Sequence, residues 1–385
     1  MPDCALIPTL TQCQILTPRV IVPSEGERVL DSNINPPVSA RVRLGLGFGP
    51  GEVSPLRLLS TIALIYLCVA SVFLFLVGTN PLNLLIGVLR TFPSFFGLAA
   101  RVAPTWFIVA VLGGFLAVPY IRRRIRENLV EIILIAIYSS LFTVVFGLAK
   151  NHLPAVFPFW ADGIFTGIDA VMTPRASVAW MDSIPLSIIL GVYFNVWVLV
   201  AAFFPMIMAI VDPNDARRRV FTVLWAACWI GLGNILAAGF MSVGPIFLDR
   251  LPGGDPSAYP GVFELLTRPE AVPLLAVKDR LWDAYANSQF MVGSGISAFP
   301  SVHVGMATII GLYLATILTA QARAHAGQIV GSVSRVAAIL LPVAIVATYQ
   351  LVTVYIGMHY AIDGYVSIVL MVGAYVLLKR SPLGR

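Results

Sequence analysis

Two histidines carry most of the chemical potential of this chain. His303 closes the run Phe299-Pro300-Ser301-Val302-His303, and His359 opens the run His359-Tyr360-Ala361-Ile362-Asp363-Gly364. His359 and Asp363 stand four residues apart, so on a helix they share one face, where the carboxylate accepts a hydrogen bond from one imidazole nitrogen. That pairing fixes the tautomer and leaves the other nitrogen as a nucleophile. Ser301 is a natural N-cap. A helix start presents free amides and the positive end of the dipole, which favour a phosphate, and His303 falls in the first turn beside it. Lys150, followed by His152, Pro154 and Pro158, ends another apolar run. Taken alone such a lysine snorkels to the headgroups; taken with the two histidine motifs it reads as part of an anion site.

The elements that must position these residues are membrane helices. Of the 385 residues 58% are apolar and 11% charged, and the mean hydropathy is +0.88. A soluble core does not bury that much apolar surface, so most of the chain is solvated by lipid. Spanning hydrocarbon takes a helix of roughly 20 apolar residues, because every backbone polar group must be satisfied within the segment. The expectation is an all-α polytopic membrane protein with about eight transmembrane helices, at about 57–78, 104–119, 129–149, 184–211, 219–246, 301–320, 336–356 and 360–378. Residues 82–100 are apolar but interrupted by Arg90 and Pro93, and read as a re-entrant or interfacial segment. Residues 1–55, rich in proline, form an irregular tail without a cleavable apolar leader; 56–128 hold two accessory helices; 129–385 form the core, with longer connections at 150–183 and 247–300.

The formal charge of +6 sits in short arginine clusters between apolar runs, a topology signal in place of a nucleic-acid surface. Arg122, Arg123, Arg124 and Arg126, then Arg217, Arg218 and Arg219, then Arg323 and Arg335, then Lys379, Arg380 and Arg385 all fall on one side of an eight-span arrangement. The positive-inside rule makes that side cytoplasmic, together with both termini, and places the histidine motifs at the extracytoplasmic face. Arg90 and Arg101 fall on the other side and sit least well with it. The four cysteines, Cys4, Cys13, Cys68 and Cys228, are scattered and form neither a disulfide framework nor a metal knuckle.

Lys150 with Pro158, then Pro300-Ser301-Val302-His303, then His359-x-x-x-Asp363 resembles the three signature motifs of the type 2 phosphatidic acid phosphatase superfamily. The resemblance covers about residues 129–378 and implies a six-helix core. Carried over, it implies His359 as the nucleophile, Asp363 as the residue that orients it, His303 as the general acid, and Lys150 and Ser301 as phosphate ligands, with no metal or cofactor. Three positions depart from the family pattern. Phe157 precedes Pro158 where an arginine is usual, Val302 replaces a glycine, and Val352-Thr353 stand where the third motif begins with Ser-Arg. These departures look most similar to the branch containing inositol phosphorylceramide synthase, a lipid phosphotransferase. That implies membrane lipids as substrates and transfer of a headgroup phosphate to a lipid or sugar hydroxyl. The alternative within the superfamily is a lipid phosphate or prenyl pyrophosphate phosphatase.

Readings of other classes are a metal site built on His303, His359 and Asp363, and a transporter or flippase coupling protons through the same groups. Replacement cations for the missing motif arginines are sought among Arg250, Arg268, Lys278 and Arg280, each otherwise a solvated loop charge. His152 is a possible headgroup contact, and His325 a solvated loop residue. Glu131 is expected to pair with the arginines near it. Asp162 and Asp169 read as solvated loop carboxylates, with contacts to an inositol or sugar hydroxyl as the alternative. The run 278–285 suggests a short interfacial helix.

Overall fold

The computed structural model describes residues 53–78, 86, 89, 113, 114, 116–172, 178–287 and 295–384. The expected tail up to residue 52, the span at 104–119 for all but its last residues and the interrupted segment 82–100 lie outside them, Ile86 and Leu89 apart. The described residues form helices and connections, and the protein is an all-α polytopic membrane protein. Among the described residues seven helices are long and apolar enough to cross a bilayer. They are α1 (Pro55–Leu76), α3 (Leu129–Val156), α5 (Leu186–Val211), α6 (Asp215–Gly239), α9 (Val302–Ala324), α10 (Ile329–Tyr355) and α11 (Ala361–Arg380). Shorter helices are α2 (Pro119–Glu127), α4 (Asp162–Met172), α7 (Pro260–Leu266) and α8 (Val272–Ala286). The expected interfacial helix at 278–285 is thus the second half of α8.

Local sequence explains where the spans begin. Ser54 accepts the Arg57 amide at 3.1 Å with Pro55 in the first turn, Asn214 accepts the Arg217 amide at 2.8 Å, and Ser301 accepts the Val304 amide at 3.3 Å. Each side chain satisfies an amide that the helix itself leaves unpaired. Several expected boundaries shift; the span placed at 129–149, for one, runs on to Val156. The span placed at 219–246 ends at Gly239, because Gly244 needs a φ of 87° and Pro245 starts a new short turn. The span placed at 336–356 begins at Ile329, because Ser332 and Arg335 lie in an exposed first part of α10, where polar side chains cost little.

One end of the bundle is an arginine end. Asp212, almost fully buried, takes a bidentate contact from Arg217 at 2.5 and 2.6 Å and the Tyr313 hydroxyl at 3.2 Å. Arg218 bonds Glu131 at 2.5 Å and Asp215 at 3.0 Å, so the pairing expected of Glu131 is present and ties α3 to α6. Arg124 donates to the Ala209 and Asp212 carbonyls at 3.0 and 3.1 Å, binding α2 to the end of α5. Buried ion pairs of this kind fix register more than they add stability.

The core between the ends is aromatic. Tyr66 of α1 packs on Phe142 of α3 (4.8 Å between centroids), Phe142 on Trp225 of α6 (4.5 Å), and Phe146 on Trp229 (4.7 Å). Trp229 lies 5.5 Å from Trp197 of α5. Two spans carry π-helical turns in this region: Gly191–Val196 in α5 and Cys228–Leu236 in α6. Such turns are rare and concentrate at functional sites. Gly364 is closely approached: a Cβ there would lie 1.7 Å from Gln350 Oε1, so a larger residue needs the Gln350 side chain to move.

Candidate active site

The end opposite the arginines gathers the start of α9, the start of α11, the end of α3 and the π-helical turn of α5. His359 sits in the connection between α10 and α11, two residues after Gly357, whose φ of 73° turns the chain. The imidazole is buried. Its Nδ1 lies 2.7 Å from the Ala298 carbonyl oxygen and 3.3 Å from Asp363 Oδ2. A carbonyl only accepts, so Nδ1 carries the proton, and Nε2 keeps the lone pair. The i+4 reading of His359 and Asp363 therefore holds in geometry but is incomplete: the nearer acceptor is a backbone oxygen from the loop before α9. Asp363 is fully buried and also accepts the Tyr360 amide at 2.9 Å, closing the first turn of α11.

Burial and the nearby Lys150 ammonium push His359 down to about 3. In an unfolded chain it titrates near 6.5. Below about pH 6.5 the unfolded chain takes up a proton that the folded chain refuses, so stability falls with pH until the folded value is reached. His359→Asn is expected to flatten the dependence of unfolding free energy on pH by about one proton between about pH 4 and 6. An unchanged slope would mean that the imidazole is not held neutral.

His303 stands in the first turn of α9, as its spacing from Ser301 predicts. It is enclosed between two aromatic rings of α5: Tyr193 at 4.1 Å and 10° between planes, and Trp197 at 3.9 Å and 27°. The Tyr193 hydroxyl lies 3.5 Å from His303 Nδ1. The rings of His303 and His359 are 5.6 Å apart, centre to centre. Neither Tyr193 nor Trp197 stands out in the sequence, where both belong to an apolar span. The usable signal is an aromatic pair at i, i+4 near the end of a helix that also contains Gly191 and Asn195.

Lys150, on the last turns of α3, reaches the same place. Its ammonium is 3.5 Å from the Ser297 carbonyl oxygen and 5.9 Å from the centre of the Phe146 ring. Among the described residues no carboxylate pairs with it. Ser301, expected as a phosphate ligand, is fully buried, its amide donates to the Asp363 carbonyl at 3.2 Å, and its hydroxyl is occupied as the N-cap. His152 turns away: its Nδ1 donates to the Leu148 carbonyl of the preceding turn at 2.9 Å.

The loop cations are committed elsewhere. Arg250 pairs with Asp279, Arg268 with Asp182 at 2.8 Å, and Arg280 is exposed. Lys278 is buried and pairs with Asp249 at 2.6 Å, which corrects its reading as a solvated charge. Apolar contacts of α8 draw it inward, and the partner offsets its desolvation.

Asp162 and Asp169 are corrected as well, for both are buried. Seven residues apart, they share one face of α4. Asp162 accepts the Val243 amide at 2.9 Å, the Gly244 amide at 3.1 Å and the Tyr360 hydroxyl at 2.7 Å. Asp169 accepts the Ala361 and Ile362 amides at 2.9 and 3.3 Å, so it caps α11 in trans. Burial raises the carboxyls of both above the usual range, opposed by these hydrogen bonds. Phe165 between them stacks on Phe299 at 4.5 Å. Helix α4 therefore clamps the loops on which Ala298 and His359 stand.

Fold and site together define a polytopic helical membrane protein with a His, His, Asp and Lys cluster at one end of its bundle. No family model, curated protein or solved structure matches the chain.

Proposed function

We propose that this protein is a lipid phosphotransferase that moves a headgroup phosphate from a phospholipid to a lipid or sugar hydroxyl through a phosphohistidine on His359. The observation that carries the reading is the pairing of an imidazole whose Nε2 lone pair is free with a lysine that has no carboxylate partner among the described residues. A cation in that setting calls for an anion, and a nucleophilic nitrogen beside it calls for an electrophilic one. A phosphate ester is both.

His359 Nε2 attacks phosphorus, and the bond from phosphorus to the departing lipid oxygen breaks. His303 supplies the proton that oxygen needs, a general-acid contribution of about 10²- to 10⁴-fold. The Ala298 carbonyl and Asp363 hold the Nδ1 proton and stabilise the imidazolium character that develops as the N–P bond forms. In the second half, His303 takes the proton of the incoming hydroxyl, whose oxygen displaces nitrogen from phosphorus and returns His359 to its starting state. Stacking between Tyr193 and Trp197 keeps the His303 ring in one plane through both halves. Lys150 and the start of α9 balance the phosphate charge. By the positive-inside rule, the arginine end faces the cytoplasm and the histidine end the opposite side.

The test is to incubate the purified chain with phosphatidic acid, a prenyl pyrophosphate and inositol- or glycerol-headgroup phospholipids, with and without ceramide or diacylglycerol, and to identify products by mass spectrometry. Headgroup transfer to the added hydroxyl supports the proposal. Release of inorganic phosphate alone replaces it with a phosphatase, and lipid movement with neither replaces it with a transporter. Lys150→Met is expected to lower turnover by about 10²- to 10³-fold, as for loss of one charge-stabilising donor, with Lys150→Arg recovering part of it. Equal activity in Lys150→Met would remove the lysine from the phosphate site.

A further inference from the structure

At the arginine end, α9 and α10 form a hairpin, and a groove of about 390 Å³ opens between them, lined by Thr319, Ala322 and Arg323 on one helix and Arg335, Ala338 and Ile339 on the other. Arg323 and Arg335 stand on opposite walls, and both residues are exposed. Arg217, Arg218, Arg250 and Arg268 all have carboxylate partners; among the described residues Arg323 and Arg335 have none. Two unpaired cations facing one hollow make a site for an anion with several acceptor oxygens. Away from the turn, α10 presents a stripe to its surroundings: Val336 is 56%, Ile339 64% and Val343 62% exposed. These positions recur at three and four residues, so they form one apolar face continuous with the groove.

We infer that this groove binds the phosphate headgroup of an anionic membrane phospholipid between Arg323 and Arg335, with the acyl chains laid along Val336, Ile339 and Val343. An amphiphile is the occupant because the site is itself amphiphilic: paired guanidinium groups above, hydrocarbon-facing side chains below. Basic hollows between transmembrane helices take anionic headgroups for this reason. The site lies at the opposite end of the bundle from His359 and does not depend on the reaction proposed for it.

The full chain, reconstituted in nanodiscs of equal phosphatidylcholine and phosphatidylglycerol, is released for native mass spectrometry and its retained lipids are counted. Phosphatidylglycerol is expected to be held in preference to phosphatidylcholine. Arg323→Gln combined with Arg335→Gln is expected to lower that retention about 30-fold, which is about 2 kcal/mol for two basic residues at a membrane surface. Both side chains are exposed and without ion-pair partners among the described residues, so the double variant should unfold at the native temperature. Ala338→Trp, which fills the groove and leaves both arginines in place, is expected to reduce retention as well. Equal retention of the two lipids by the native chain, or undiminished phosphatidylglycerol in the double variant, overturns the proposal. So does loss in Lys150→Met as complete as in the double variant, which would place the lipid at the histidine end. Displacement by millimolar inorganic phosphate would make the ligand a free anion and overturn the lipid assignment.

Discussion

His359→Ala is expected to lower the proposed headgroup transfer on the order of 10⁴-fold or more, while leaving the helical content of the detergent-solubilised chain close to native. The size follows from covalent catalysis, where loss of the nucleophile removes the intermediate and the other members of the site no longer act on anything. The arrangement gives the expectation a second, sharper form. Nδ1 is pinned by the Ala298 carbonyl at 2.7 Å, so only Nε2 is available to form a bond to phosphorus. Acid-labile, base-stable radiolabel from a headgroup-labelled donor should therefore accumulate on the native chain when the acceptor is withheld, and should map to His359. His303→Ala should still take up label, more slowly, because it affects proton transfer and not the attacking atom. Full transfer activity in His359→Ala, or label on a different residue, would end the phosphohistidine mechanism.

Asp162→Ala is the second large effect, and it acts on stability. The carboxylate holds two buried backbone amides and the Tyr360 hydroxyl. Removing it leaves three buried donors without acceptors, at about 1 to 3 kcal/mol each, so a loss of at least about 3 kcal/mol is expected in the unfolding free energy measured in mixed micelles. Asp162→Asn keeps an acceptor for the Val243 and Gly244 amides and should recover most of that loss. The pair discriminates two roles. If Asp162 served a substrate hydroxyl, Asn and Ala would both lower activity with little change in stability; as a structural acceptor, Ala lowers both and Asn lowers neither by much.

What was legible in the sequence was whatever depends on neighbours along one helix. Apolar runs of sufficient length marked the seven described spans, Ser301 marked the start of α9, and the spacing of His359 and Asp363 marked a shared face. An ion pair at Glu131 could be expected from the arginines gathered on its side of the bundle, but not its partner, Arg218, which lies 87 residues away on another helix. What was not legible depends on chain segments distant in sequence. The Ala298 carbonyl reaches His359 from 61 residues away, and a backbone oxygen leaves no mark on residue type. Asp162 and Asp169 looked like loop charges because their amide partners belong to residues 243–244 and 361–362; their spacing of seven on one helical face was the available clue. Tyr193 and Trp197 were concealed by their apolar setting, which is what a membrane span requires of most of its residues. Helix ends moved where polar residues in an exposed turn did not stop the helix, as at Ser332 and Arg335.

The π-helical turn Gly191–Val196 has a consequence for which changes of chain length the protein can accept. Its i→i+5 bonding, seen in the Trp197 amide reaching the Val192 carbonyl, holds one residue more than an α-helical turn would. Deleting a single residue there would let α5 return to regular winding and would change how Tyr193, inside the turn, is set against Trp197 at its end. Trp197 and Tyr193 then no longer both meet His303. Insertions and deletions in α5 are therefore not equivalent to those in the exposed connection between α7 and α8: the first changes the setting of a helix against the His303 ring, the second only the length of a strap. Among natural sequences built on this plan, the number of residues between Pro185 and Trp197 should be held constant where the identities of the lipid-facing residues drift.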